Sequence, residues 1–265
     1  MKTAYFWLTP QGKQLAEQLQ AHFGGTVEPK ADFAEAVRRA FADCDALVFV
    51  MATGIVVRTI APLVQSKASD PAVLVLDQRG KHVISLLSGH LGGANAMAEQ
   101  AAAYLGGEAV ITTATDVEHV PAFDLFAKEN HLTIENLEEL KYISGALVAG
   151  EPVSLCTAFP VEKNAFPETV QIQPFSETPR HACAVAIADT TESVAAPHVL
   201  YLRPKSLVLG VGCKKQIPPA HLEQCFRTFL QEHHLSLSAV EKLATIGLKR
   251  EEPAILALCE KYRLP

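Results

Sequence analysis

Several features that would assign a function directly are missing from this chain of 265 residues. No apolar run approaches the ~18–20 residues needed to cross a bilayer, and residues 1–9 do not form a signal peptide, so we expect no membrane partner. The formal net charge of −6 argues against nucleic acid as a partner, because nucleic-acid-binding proteins usually carry a basic excess. The P-loop pattern G-K-[ST] and a complete G-x-G-x-x-G are also absent, which disfavours a nucleotide- or phosphate-binding α/β enzyme.

Cysteine and histidine are too dispersed to indicate a metal centre. The six cysteines form no C-x-x-C pair, and no two histidines lie four residues apart as they do in many zinc sites. In a chain of this size we therefore expect reduced, mostly buried thiols in a cytoplasmic protein that has no metal site of its own.

What the chain does contain is 49% hydrophobic residues and apolar strands that alternate with helices. This alternation predicts an α/β fold, with an open and mainly parallel sheet in an N-terminal domain, residues 1–131. Residues 132–204 are less regular and predict a small central α/β region. Residues 205–265 predict a second, C-terminal α/β domain, which we expect to be incomplete.

Residues 83–100 carry the most distinctive local pattern. An apolar strand at 83–87 is followed by Ser88 and Gly89, an exposed His90, a pair of glycines, and then a run of helix formers that starts at Ala94. A helix start after a strand leaves backbone N–H groups unpaired, and these groups together with the helix dipole favour an anion. The alternative is a tight loop whose glycines serve chain geometry alone.

Three polar turns are predicted to follow strands of the sheet. They contain Thr53 and Gly54 with Arg58 nearby, residues 88–95, and Thr113 with Asp116. Because ligands of open α/β sheets bind at the carboxyl ends of the strands, we expect these turns to line one crevice. Arg58 is suited to binding carboxylates. The predicted substrate-binding residues are Thr53, Gly54, Arg58, Ser88, Gly89, Gly92, Gly93, Thr113 and Asp116.

His90 and Asn95 are the predicted catalytic residues. An imidazole titrates near neutrality and can move a proton, although His90 could also bind an anion or simply be exposed. Asn95 could polarise a carbonyl or cap the helix, and Asp116 could orient His90, activate water or cap the segment that follows. Ser88 is a weak candidate for a nucleophile because G-x-S-x-G is absent, and Cys213 reads more readily as an incidental thiol than as a nucleophile.

Two pairs of motifs resemble one known family. SGHLGGAN at residues 88–95 and ATGIVVRTIAPL at 52–63, followed by LGVGCKKQ at 209–216 and LATIGLK at 243–249, resemble the CbiG-type cobalt-precorrin-5A hydrolases of anaerobic cobalamin biosynthesis. They occur in the family's order and reach across most of the chain. Members of the family continue beyond the point that corresponds to Pro265, which is why we expect the C-terminal domain to be truncated.

The resemblance implies a hydrolase that opens the δ-lactone of cobalt-precorrin-5A, releases acetaldehyde and yields cobalt-precorrin-5B. The cobalt would arrive with the tetrapyrrole substrate, so the enzyme would need no cofactor. Transient contacts with neighbouring enzymes of the pathway are compatible with this role, and the sequence predicts no particular oligomer. The alternative is a non-catalytic tetrapyrrole-binding or carrier protein of the same pathway.

Overall fold

Nearly continuous apolar runs form the central strands of a sheet in the first of two compact units, Met1–His119. The computed structural model describes residues 1–66, 69–162 and 165–265. The elements of the first unit are β1 (Thr3–Trp7), α1 (Pro10–Phe23), β2 (Thr26–Val27), α2 (Phe33–Asp43), β3 (Ala46–Val50), α3 (Thr53–Ile60), β4 (Ala72–Leu76), β5 (His82–Leu87), α4 (Ala94–Leu105), β6 (Glu108–Val110) and α5 (Ala114–Val117).

The strands of this unit lie in the order β2-β1-β3-β4-β5-β6. Every neighbouring pair is parallel except β4 and β5, which form a hairpin. Two apolar strands on either side of the turn-forming residues 77–81 predict this hairpin. The predicted α/β class with a mainly parallel sheet is therefore confirmed. The hairpin has a further effect: β5 and β6 run opposite to the other four strands, so their carboxyl ends lie at the other edge of the sheet.

Helices cover both faces of the sheet. α1 and α4 pack on the face that carries Val48, Leu74 and Val83, whereas α2 and α3 pack on the face that carries Phe49 and Val75. Alternation along each strand places its side chains on the two faces in turn, and both faces are apolar because both are covered.

The start of α1 differs from the expectation. Thr9-Pro10-Gln11-Gly12 predicts a turn, but the helix begins at Pro10. The Thr9 side chain accepts a hydrogen bond from the Gly12 amide at 3.0 Å, which makes Thr9 an N-cap, and proline is favoured at the first helical position because it has no N–H to satisfy.

The second unit, Val120–Pro265, contains a mixed sheet and a small parallel pair. The sheet has the order β7-β11-β10-β8-β9, in which only β7 is antiparallel to its neighbour, and β12 pairs with β13 in parallel. The elements are α6 (Phe123–Glu129), β7 (Thr133–Ile134), α7 (Leu140–Val148), β8 (Val153–Thr157), β9 (Val170–Pro174), β10 (Cys183–Ile187), β11 (His198–Arg203), β12 (Leu207–Gly210), α8 (Pro219–Glu232), β13 (Val240–Ala244) and α9 (Pro253–Tyr262).

Two parts of this unit depart from the sequence prediction. β9 lies inside a proline-rich stretch that shows no strand pattern. Residues 238–243 and 244–248 predict a helix and then a strand, but the strand is at Val240–Ala244. Its pairing with β12 overrides the weak local preference, as is usual for strands whose stability comes from their neighbours.

All six cysteines are free thiols, as predicted, but only Cys156 and Cys183 are buried. Burial raises the pKa of the Cys156 thiol to about 11, which makes it unreactive at neutral pH. In the part of the chain that the structure describes, every helix falls short of the length and apolar character that a membrane span requires.

A buried ion pair joins distant parts of the second unit. The Arg203 guanidinium, 3% exposed, donates to Glu135 Oε2 at 2.8 Å and to the Ala188 carbonyl at 3.0 Å. Ser236 donates to the other oxygen of Glu135 at 2.5 Å. Burial raises the pKa of the Glu135 carboxyl, but the hydrogen bonds from Ser236 and Arg203 outweigh burial, so the pKa lies below its usual range.

We expect Glu135→Gln to destabilise the protein by on the order of 3 kcal/mol at pH 7, because it leaves a buried guanidinium without its counter-charge. A carboxyl with a lowered pKa stabilises the fold above its unfolded pKa of about 4.3 and loses that contribution as the pH falls through its folded value. The difference between wild type and variant should therefore shrink below about pH 4 in urea unfolding. Glu151→Gln, at an exposed position, is the matched control. Equal unfolding curves for both variants at pH 7 would contradict the assignment.

Candidate active site

A bulge at the end of β5 sets the direction of the loop that follows. Val73 of β4 pairs with Leu87, but Leu74 pairs with Ser85, so Leu86 is an extra residue in β5. Bulges of this kind bend a strand and turn its end away from the ladder. The loop at residues 88–93 leaves the sheet at this point and leads into α4.

Contacts within the loop hold it in one conformation. Ser88 has a left-handed backbone (φ 57°), and its hydroxyl donates to the Asp70 carbonyl at 2.9 Å. Gly92 lies against Ser88 so closely that a Cβ there would be 2.5 Å from the Ser88 Cβ, and a Cβ on Gly89 would be 2.7 Å from the Asn95 Oδ1. These geometries assign the Ser88 hydroxyl to anchoring the loop and explain two of its glycines.

The backbone amides at the start of α4 are less open than the sequence predicts. The Ala94 amide donates to the Ser88 carbonyl at 3.2 Å, and the Asn95 amide donates to the Gly89 carbonyl at 3.1 Å. The prediction that the amides at this helix start are unpaired and can bind an anion is therefore wrong for Ala94 and Asn95. The loop folds back, and its own carbonyl groups accept hydrogen bonds from both amides. Gly93, the residue before the helix, has φ 88°.

His90 forms a close pair with Asp116 of α5. The His90 Nε2 lies 2.7 Å from the Asp116 Oδ2, and the two side chains are 12% and 35% exposed. The Thr115 hydroxyl lies 3.4 Å from the same ring nitrogen. Asp116 thus contacts His90, as expected for an orienting residue, and the pair is accessible from solvent at its carboxylate side.

Asn95 is the buried centre of this site. Its Oδ1 accepts from the Ser85 hydroxyl at 2.6 Å, and its Nδ2 donates to Thr113 Oγ1 at 2.9 Å and to Asp116 Oδ2 at 3.1 Å. The alternative that Asn95 caps α4 is wrong, because the N-cap position is Gly93 and the Asn95 side chain points to other elements. We call these four residues and His90 the His90 cluster: Ser85, His90, Asn95, Thr113 and Asp116.

The hydrogen bonds of the cluster keep Asp116 ionised. Burial raises the pKa of its carboxyl. The hydrogen bonds from Thr113 and His90 and the charge of His90 together lower the pKa by more than burial raises it, so the pKa lies below its usual value. A carboxylate in this state holds the imidazole N–H that faces it, and it stabilises the ring when the ring takes up a proton.

Thr53, Gly54 and Arg58 do not lie beside the His90 cluster. They belong to α3, which starts after the carboxyl end of β3. The pairing of the strands places that end of β3 level with the start of β5, whereas the loop with His90 follows the end of β5. The predicted single crevice is therefore wrong, because the loop that carries His90 leaves the sheet at the opposite edge. The cause is the reversal of β5, which the predicted hairpin already implies.

A cavity of about 570 Å³ lies at the edge that carries Thr53. Its polar lining includes Thr9, Thr53, Gln78 and His82, and its floor is apolar. The Arg58 guanidinium folds back over Gly54, 3.6 Å from the position of a Cβ on that residue. Among the residues that the structure describes, no group of three or more histidine, cysteine, aspartate or glutamate side chains could hold a metal ion.

Sequence reasoning missed Ser85 and Thr115. Ser85 is the one hydroxyl in the apolar strand β5 and faces α4, which is a signal for a buried polar partner. Thr115 lies in the hydroxyl-rich segment that contains Thr113 and Asp116, but only the turn of α5 places its hydroxyl near His90.

The site is thus a histidine–carboxylate pair held by a buried amide in an α/β unit, an arrangement typical of proton-transfer enzymes. Family models of the cobalamin synthesis G N-terminal region, the cobalamin biosynthesis central region and the cobalamin synthesis G C-terminus match residues 35–116, 121–204 and 207–265. The chain belongs to the cobalamin synthesis G family.

Two curated relatives are named cobalt-precorrin-5A hydrolase. The protein from Salmonella typhimurium is 35% identical, over 99% of this chain and 80% of its own length. The protein from Priestia megaterium is also 35% identical, over 82% of this chain and 61% of its own length. The predicted class, a hydrolase of cobalamin biosynthesis, is confirmed by these relatives.

One solved structure is similar over most of the chain. It is that of a cobalamin biosynthesis protein G homolog from Sulfolobus solfataricus, which is 23% identical and has a TM-score of 0.47. The likeness covers 99% of this chain and 78% of that protein.

We expect Gly92→Ala to destabilise the first unit by about 1–3 kcal/mol, because the added methyl group must displace Ser88 from its place against Asp70. Gly145→Ala, in an exposed position of α7 where nothing lies within 4 Å of the new Cβ, is the matched control. It should stabilise the protein by about 0.5–1 kcal/mol, since alanine favours a helix over glycine. Urea unfolding measures both; a Gly92→Ala protein as stable as wild type would contradict the close contact.

Proposed function

We propose that this protein opens the δ-lactone of cobalt-precorrin-5A and releases acetaldehyde, with the His90 cluster as its catalytic centre. The pairing of His90 Nε2 with Asp116 Oδ2 at 2.7 Å is the observation that carries the catalytic assignment. The names of the two curated relatives support the substrate, which is a tetrapyrrole with several carboxylate arms.

His90 acts as the general base. An imidazole can take a proton from the attacking water and return it later in the reaction. The ionised Asp116 stabilises the imidazolium that results. Asn95 and Thr113 are positioning residues, because they hold the Asp116 carboxylate through Nδ2 and Oγ1.

The water oxygen bonds to the lactone carbonyl carbon, and the backbone amides of Gly92 and Gly93 donate to the oxyanion that forms. Collapse of this intermediate breaks the bond to the ring oxygen and leaves a carboxylic acid and an alkoxide. The alkoxide then becomes the aldehyde as its bond to the macrocycle carbon breaks, and the electron pair of that bond enters the conjugated ring. The macrocycle takes up the proton that balances the step, and acetaldehyde leaves.

Cobalt enters this scheme as part of the substrate. The protein residues named above bind, orient and transfer a proton, and none of these roles requires a metal held by the protein. The substrate's acetate and propionate groups suit cationic side chains such as Arg58.

The test is acetaldehyde release from cobalt-precorrin-5A by wild-type protein and by His90→Gln. Loss of the general base should lower kcat by about 10²- to 10⁴-fold. Asp116→Asn should lower kcat as well, because the amide no longer stabilises the imidazolium. His198→Gln is the matched control, since the His198 Nδ1 also pairs with a carboxylate, that of Glu139 at 3.0 Å in the second unit.

Undiminished release by His90→Gln would remove this residue from the reaction. If the wild-type protein binds the substrate but releases no acetaldehyde, the carrier function applies instead.

A further inference from the structure

The cavity at the carboxyl ends of β1, β3 and β4 takes no part in the reaction assigned to His90. The chain that leaves β1 returns in β2 on one side of the sheet order, and the chain that leaves β3 returns in β4 on the other side. The segments that follow these two neighbouring strands therefore diverge. Open α/β sheets bind ligands in the crevice that forms at such a point. Leu8 and Thr9 line the cavity after β1, and Met51 and Thr53 line it after β3.

This cavity is separate from the His90 cluster. Val75 and Ile84 line it, and both lie on the face of the sheet that carries Phe49. Ser85 of the cluster points to the other face, toward α4, and the loop that carries His90 leaves the sheet at the opposite edge. A molecule bound in the cavity is therefore a second ligand, distinct from the one that reacts at His90.

The floor of the cavity includes a flat apolar row. Val75 pairs with Ile84, and Ile84 pairs with Val110, so the three side chains stand side by side on adjacent strands. Neighbouring strands lie about 4.8 Å apart, which makes the row about 10 Å wide. Ile84 and Val110 are only partly buried. A row of this width matches two fused aromatic rings, and the cavity volume of about 570 Å³ lies in the range of small-molecule sites.

The rim of the cavity offers hydrogen bonds rather than a net charge. The Gln78 amide can donate and accept at once, and its Oε1 lies 3.4 Å from the Thr9 hydroxyl. The Asp77 carboxylate accepts from the Arg79 and His82 amides at 2.9 and 2.7 Å. The His82 Nδ1 lies 3.5 Å from the same carboxylate, so the charge of Asp77 is offset within its own turn. The rim therefore suits the polar edge of an uncharged ring.

The start of α1 leaves no place for a phosphate group. In nucleotide-binding sheets the amides at the start of the first helix bind phosphate, and glycine lets the ligand approach them. Here the Gly12 amide donates to the Thr9 hydroxyl at 3.0 Å, and a Cβ on Gly12 would lie 3.2 Å from the Val50 carbonyl oxygen. Protein atoms thus fill the position that a phosphate would take.

We propose that the cavity binds an uncharged heteroaromatic molecule of two fused rings that carries no phosphate. The ring face lies on the row of Val75, Ile84 and Val110, and the polar edge of the ring contacts the Gln78 amide. This assignment does not depend on the proposed function, because the cavity and the His90 cluster lie at opposite edges of the sheet.

The probe is 2-aminopurine, an uncharged and fluorescent heteroaromatic base whose fluorescence anisotropy rises when it binds a protein. Val110→Glu places a carboxylate against the ring face and should raise the Kd at least about tenfold. Val64→Glu is the matched control, since Val64 is exposed and lies outside the cavity, and it should bind as wild type does. Circular dichroism confirms that each variant is folded.

Gln78→Leu keeps the test valid if Val110→Glu does not fold, because Gln78 is exposed. Loss of one hydrogen bond to the ring edge should raise the Kd about three- to tenfold. Gln231→Leu, at an exposed position of α8, is the matched control and should leave the Kd unchanged. No saturable binding by wild type, or a wild-type Kd in both Val110→Glu and Gln78→Leu, would overturn the inference.

Two further measurements distinguish this site from others. Adenosine should displace the probe at least as well as adenosine 5′-monophosphate does, and tighter binding of the monophosphate would contradict a site without room for phosphate. His90→Gln should leave the Kd for 2-aminopurine unchanged. A raised Kd in His90→Gln would mean that the probe binds at the His90 cluster and would overturn the assignment to the cavity.

Discussion

The antiparallel pairing of β5 with β4 determines where the polar residues of the first unit lie. It turns the carboxyl end of β5 toward the amino end of β4, where the Asp70 carbonyl accepts the Ser88 hydroxyl. It also carries β6 in the same reversed direction, so that the chain beyond Val110 reaches the same edge and delivers Thr113 and Asp116. The His90 cluster exists because two reversed strands end side by side.

The buried amide of Asn95 then converts this proximity into a fixed geometry. One side chain with an acceptor and two donors joins β5, α4 and the segment at α5, and every one of its polar atoms has a partner. A buried network of this kind is rigid when it is complete and costly when it is broken, since each orphaned polar group costs about 1–3 kcal/mol. The orientation of His90 therefore depends on Ser85, Asn95 and Thr113 as well as on its direct partner Asp116.

Much of the fold and part of the site follow from sequence pattern alone. The strands β3 and β4 and the hairpin between β4 and β5 can be predicted from the sequence, because a strand that is buried on both faces is a nearly continuous apolar run with few other interpretations. His90 and Asp116 are candidates by residue type, but their contact depends on strand direction, and the expectation of one crevice neglected the reversal that the hairpin entails. The two-residue strand β2 and the proline-rich β9 carry too little pattern to predict, because their stability comes from neighbouring strands.

The hydrogen bonds that Arg203 and Ser236 donate to Glu135 have a consequence for how the gene could be divided. Arg203 and Glu135 belong to the part of the chain matched by the central family model, whereas Ser236 belongs to the part matched by the C-terminal one. A fragment that ends at residue 204 would keep the ion pair between Arg203 and Glu135 but would lack Ser236. One oxygen of the Glu135 carboxylate would then accept a hydrogen bond from water instead. Separate expression of the two family regions would therefore remove a hydrogen bond that stabilises the second unit, that between Ser236 and Glu135. This loss would occur although the division falls in a segment that connects secondary-structure elements.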